Sequence, residues 1–202
     1  MHLKLLAGML LWRCAAWSWR RDVWLGRPRQ ALAGLDRWIV VAPHTEHPAL
    51  HHAWATRAHV LGGLCRWSDA ADQLAHLATV RPGDATVHFN WGYALQQTGA
   101  WHGAEQAFRR AVLLSPGLDL AWYGLGDVLC QQGRWHDAEA AWLQQCELQP
   151  FCPDGLVRLV GLYADLGRWT EAKARMNQLR AFDPQRAWLV ESAFPRAVGV
   201  SP

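Results

Sequence analysis

Residues of matched size return along this chain at a fixed interval. Trp67, Trp101, Trp135 and Trp169 stand 34 residues apart, as do Ala70, Ala104, Ala138 and Ala172, and Pro82, Pro116, Pro150 and Pro184. Such a period marks an array in which each unit is one supersecondary element that buries its apolar face against its neighbours. Four units fit, 51–84, 85–118, 119–152 and 153–186. The breaks in the pattern say what each unit contains. Gly99, Gly133 and Gly167 stand where a first helix would stop and the chain reverse, a place that favours a left-handed backbone. Each proline ends a second helix, because it has no N–H to donate and clashes with the preceding turn. Asp84, after Pro82-Gly83, reads as the N-cap of the next helix. Gly92, Gly126 and the alanine column let helices approach closely. Trp101, Phe108, Trp135, Trp142, Trp169 and Met176 are expected to fill the space that the small residues leave. Each unit therefore reads as an antiparallel helix pair, and the chain as all-α.

Within the units the order of residues resembles the tetratricopeptide repeat, with its W-x2-L-G-x2-Y, A-x3-F and closing P. Trp122, Leu125, Gly126, Ala138, Trp142 and Pro150 carry the likeness in the third unit. Trp91-Gly92, Ala104, Phe108, Ala111 and Pro116 carry it in the second, and Leu159, Tyr163, Gly167, Ala172, Leu179 and Pro184 in the fourth. The first has Trp54, Leu61, Ala70, Leu74, Leu77 and Pro82, but Ala58 replaces the glycine inside its first helix and Cys65 the glycine between its helices. The resemblance implies an α-solenoid, a right-handed superhelix of antiparallel helix pairs. Around the four units, residues 1–25 read as a Trp/Arg-rich helical segment and 26–50 as a degenerate partial repeat and linker. Gly26, Ala31, Leu35, Trp38 and Pro43 keep the offsets of a second half-repeat there. Residues 187–202 read as a capping helix and tail.

Composition refines this picture at the N-terminus. The chain is 51% hydrophobic and 18% charged, rich enough to bury a core, and tryptophan is its outlier at 14 residues. The net charge is only +3, so the chain as a whole is no polyanion binder and nucleic acid is not the favoured partner. Residues 1–40 nevertheless hold seven basic side chains and two acidic ones. Trp12, Arg13, Trp17, Trp19, Arg20, Arg21 and Trp24 interleave rings with guanidinium groups, a mixture suited to a lipid headgroup interface or an acidic protein surface. The structural alternative is a degenerate repeat whose tryptophans cap the array. The apolar run Leu5 to Trp12 is broken at Arg13 and is far shorter than the roughly 20 residues that span a bilayer. Signal, anchor and part of the fold stay open for this segment. Five cysteines, an odd number without a C-x-x-C pair, read as reduced thiols and a cytoplasmic setting, with a peripheral membrane or periplasmic one as the alternative.

The resemblance also implies a concave face built mainly from the first helix of each unit. It assigns partner contacts to His59, Phe89, Asn90, Tyr93, Gln96, Gln97, Tyr123, Asp127, Gln131 and Asp165, with His52, Thr56, Cys130, Asp154, Val157, Arg158 and Gly161 on the same wall. Rings and amides of this kind bind peptides by stacking and by backbone hydrogen bonds. The two-carboxylate clamp of chaperone-binding members keeps only Asn90, with Ala55, His59, Leu120 and Gly124 at its other positions. The asparagine ladder of sugar-transferase members is replaced by Thr56, Asn90, Gly124 and Arg158. His44, His47, His51, His52 and His59 cluster, but Pro48 interrupts them and no cysteine or carboxylate pair completes a site, so no metal and no cofactor is expected. No phosphate loop, H-E-x-x-H or G-x-S-x-G occurs. The expectation is a non-catalytic scaffold or assembly factor that docks a partner polypeptide. The alternative is a membrane-associated accessory subunit docked through its N-terminal segment.

Overall fold

In the computed structural model, residues 18–41 and 48–194 are described. The described residues hold eleven helices and no strand. They are α1 (residues 18–24), α2 (Pro28–Val41), α3 (Pro48–Gly63), α4 (Trp67–Val80), α5 (Ala85–Gln97), α6 (Trp101–Leu114), α7 (Asp119–Gln131), α8 (Trp135–Leu148), α9 (Pro153–Asp165), α10 (Trp169–Phe182) and α11 (Pro184–Ala193). The chain divides into two compact units, Met1–Ala100 and Trp101–Pro202. Inside each, helices pack chiefly on their sequence neighbours: α2 on α3, α3 on α4 and α4 on α5 in the first, and the series from α6 to α11 in the second.

The turns confirm the reading of the glycine column. Gly99, Gly133 and Gly167 have φ of 76°, 74° and 69°, and Cys65 adopts φ 57° at the same repeat position. A side chain in this region meets the following carbonyl, so Cys65 holds a conformation that glycine takes freely. Asp84 caps α5, accepting hydrogen bonds from the N–H groups of Thr86 (3.0 Å) and Val87 (3.3 Å). One residue column serves both units. His88 Nε2 lies 3.1 Å from the carbonyl of Pro82, and Trp122 Nε1, 34 residues on, donates to the carbonyl of Pro116 at 2.9 Å.

Packing follows the pairing of small with large. A Cβ on Gly126 would stand 2.5 Å from Trp142 Nε1, and one on Gly124 would stand 2.5 Å from Phe108 Cζ. Phe108, Trp142 and Met176 are fully buried as expected. The tryptophan column is not: Trp135 and Trp169 are 44% and 39% exposed. They occupy the first position of α8 and α10, where the helix has only just begun, and part of each ring stays in solvent instead of filling the core.

The flanks differ in detail from the sequence boundaries. α3 begins at Pro48, three residues before the expected first repeat, because proline fits the first helical turn, where its missing N–H has no partner to lose. Pro184 ends α10 and also opens α11, whose N-cap Asp183 accepts from the N–H of Arg186 at 2.9 Å. Residues 1–17, 42–47 and 195–202 lie outside the described residues, and with them the expectations for Trp12, Arg13, Trp17, Pro43, His44 and His47.

Candidate functional site

The first unit contains a recess of about 430 Å³ between α3 and α5, floored by α4. Ala55, Ala58, Gly62 and Gly63 form one wall, Trp67, Ala70 and Leu74 the floor, and Asn90, Tyr93 and Ala94 the other wall, with His59 at the rim. The absent side chain of Gly62 makes the floor: a Cβ there would stand 2.6 Å from Trp67 Cζ3. Tyr93 stands edge-on to the Trp67 ring, with centroids 5.5 Å apart and planes at 84°. No Lys, Arg, Asp or Glu lines the recess. It therefore offers an apolar slot with a neutral rim of imidazole, amide and phenol, and it has no charged grip for a carboxylate.

Of the predicted contact residues, the structure brings His59, Asn90 and Tyr93 together at this recess. Phe89 and Gln96 are half-buried on α5, and Gln97 is exposed at its C-terminal end, all three outside the lining. Thr56 turns its hydroxyl back to the carbonyl of His52 at 2.8 Å.

The second unit treats the corresponding wall differently. Arg158 of α9 lies over the Tyr123 ring of α7, its Cζ 5.7 Å from the centroid. Its Nε donates to Tyr123 Oη at 3.0 Å and its Nη2 to Asp127 at 2.9 Å. Burial lifts the Tyr123 phenol above its ordinary value, and the Asp127 carboxylate adds to that. Burial also lifts the Cys130 thiol, again helped by Asp127. Arg186 of α11 pairs with Asp154 at 2.5 Å, and a smaller hollow of about 200 Å³ remains among these residues, Val157 and Val190. Tyr123 is thus not an open platform. Gln131 and Asp165 are exposed.

The two walls are related by position. Tyr123, Asp127 and Arg158 stand 68 residues after Ala55, His59 and Asn90. Where the second unit bridges its helices with a ring, a carboxylate and a guanidinium, the first has a methyl group, an imidazole and an amide, and the recess opens. Arg158, Ala55 and Trp67 were not among the principal expected contacts, and comparing repeats two apart would have found the first two.

At the N-terminus the interleaved Trp/Arg residues separate. Trp19 is only 2% exposed and sits against Trp38, with centroids 6.2 Å apart, so it belongs to the core and is unavailable to a membrane or an acidic surface. The approach is tight, since a Cβ on Gly34 would stand 2.9 Å from Trp19 Cβ. Trp24, by contrast, is 84% exposed, and Arg20 and Arg21 face outward. Among the described residues no helix is long and apolar enough to cross a membrane, and no group of three or more His, Cys, Asp or Glu side chains could hold a metal ion. Cys65, Cys130, Cys146 and Cys152 are free thiols.

These features define an all-α array of helix pairs with the fold of tetratricopeptide repeat proteins. Solved structures of that architecture superimpose on the chain. A tetratricopeptide repeat protein from Parabacteroides merdae matches with a TM-score of 0.81 at 14% identity, over 93% of this chain and 73% of its own. MamA matches with a TM-score of 0.76 at 17% identity, over 83% and 95%. PilW, a type IV pilus biogenesis factor, matches with a TM-score of 0.75 at 19% identity, over 94% and 86%. No family model and no curated protein sequence matches the chain. At these identities the likeness carries the fold alone.

Proposed function

We propose that the chain is a non-catalytic scaffold or assembly factor that captures a partner polypeptide, and that the recess between α3 and α5 is its principal contact. The observation that carries this reading is the open slot over Trp67, rimmed by His59, Asn90 and Tyr93. An apolar or aromatic side chain of the partner fits the slot, while Asn90 and Tyr93 reach its backbone. The chemistry of the rim is that of contact: an amide, a phenol and an imidazole, with neither thiol nor carboxylate among the lining residues. The structural neighbours include one protein described as a biogenesis factor, which agrees with an assembly role.

Affinity capture with mass spectrometry would identify the partner, and calorimetry with the purified partner would then test the recess. Tyr93→Ala combined with Asn90→Ala should weaken binding by roughly tenfold or more, as removal of a central contact does. Tyr93 is 45% exposed and neither side chain belongs to the buried core, so circular dichroism should be unchanged. An affinity unaltered by the double variant would remove the recess as the site.

A further inference from the structure

The turn between α1 and α2 differs from the three other helix-pair turns that carry an arginine; the α5–α6 turn has Ala100 at that position. At the positions that follow the left-handed residue, Arg66, Arg134 and Arg168 each find a carboxylate: Asp69 at 2.6 Å, Glu105 at 2.7 Å and Glu139 at 2.7 Å. Arg27 follows Gly26, whose φ is 64°, in the same way. The residue three further on, which is Asp69, Asp137 or Glu171 in those units, is Gln30 here. Among the described residues no carboxylate pairs with Arg27 or Arg29, and the one cation contact of Arg20 is with the Trp19 ring, 5.3 Å away. Every residue from 23 to 30 is exposed, and none of them is acidic. Trp24 and Leu25 project at the centre of this stretch. The residues that precede α1 in sequence add Lys4 and Arg13 and no acidic side chain.

We propose that the α1–α2 turn docks on an anionic lipid bilayer, with Trp24 and Leu25 at headgroup depth and Arg20, Arg27 and Arg29 on lipid phosphates. An indole and a leucine at the tip supply the apolar insertion. The guanidinium groups, which meet no carboxylate among the described residues apart from that of Arg21, supply the attraction, which falls within a Debye length of the surface. Asp22 and Asp36 do not offset it, because Arg21 and Arg57 already neutralise them. This surface is independent of the recess between α3 and α5.

Co-sedimentation of the full chain with vesicles tests the proposal. The chain should pellet with vesicles of equal parts phosphatidylcholine and phosphatidylglycerol, remain in solution with phosphatidylcholine alone, and be released by salt. Arg27→Gln with Arg29→Gln should lower partitioning by more than tenfold, at about fivefold per arginine. Trp24→Ser with Leu25→Ser should lower it by about tenfold, with an unchanged circular dichroism spectrum. Vesicle binding that neither pair reduces, or pelleting with neither vesicle, overturns the proposal. So does retention on duplex DNA without vesicle binding, which would give the arginines to nucleic acid.

Discussion

The two units close their helix pairs by different means. In the second, each turn arginine reaches back to a glutamate on the preceding second helix. Glu105 accepts from Arg134, Arg109 and Gln132. Glu139 accepts from Arg168 and from the Tyr163 hydroxyl, while the Arg168 guanidinium lies 4.5 Å above the Tyr163 ring. In the first unit Leu32 and Ala71 stand at the glutamate positions, Ala100 stands where the last turn arginine would be, and Arg66 reaches only Asp69 within its own helix pair. Rings carry that unit instead, with Trp54 edge-on to His76 at 4.9 Å and Trp67 edge-on to Tyr93 at 5.5 Å. Ring packing leaves a slot where an ionic bridge would fill it. The same period thus yields one wall that is bolted and one that is open, and the open one is where a partner has room.

Three changes would break or sharpen that contrast. The largest effect should come from small-to-large substitution in the second unit. Gly126→Ala pushes a methyl group against Trp142 and should cost about 2–3 kcal/mol in denaturant unfolding. Gly63→Ala, which meets nothing within 4 Å, should be neutral or gain about 0.5 kcal/mol.

Next is the glutamate latch. Glu139→Gln should cost about 1–2 kcal/mol at neutral pH. Acidification should weaken the second unit in the same way. Burial by itself would raise both Glu105 and Glu139, but hydrogen bonds from their arginines outweigh it and hold both carboxyls below the usual value of 4.5. A folded value below the unfolded one contributes stability that is complete above the unfolded value and is lost as pH falls through the folded one. The unfolding midpoint should therefore fall on acidification below about pH 4.5, and the combination of Glu105→Gln with Glu139→Gln should flatten that limb. A limb unchanged in the double variant would remove the latch from the account.

The smallest effect concerns the turns. Cys65→Gly should gain about 1 kcal/mol by relieving the left-handed backbone, while Gly133→Ala should lose a similar amount. Equal and opposite shifts in the thermal midpoint would check the pair.

Much of this was legible in the sequence, because a repeat writes its own alignment. The period located the turns, the columns of small and large residues and the unusual Cys65 without any three-dimensional information, although which large residue meets which small one came from the structure. Other features needed the structure. Trp19 and Trp24 read alike in a Trp/Arg run, yet the helix turns one inward to Trp38 and the other outward. A run of mixed character without a repeat register gives no phase. The recess was hidden for a different reason. It arises from Ala55 and Asn90 standing where Tyr123 and Arg158 stand, and each of those residues is unremarkable within its own unit. The arginine latches join residues 29 apart, a spacing that follows only once the helix pair has folded back on itself.

The neighbour-to-neighbour packing inside each unit also bears on how the chain acquires its form. Almost every contact that matters is made between segments only a few tens of residues apart, so little loop-closure entropy separates one formed helix pair from the next. A nascent chain leaving the ribosome can settle each hairpin before the following one is synthesised, instead of waiting for a distant strand to complete a sheet.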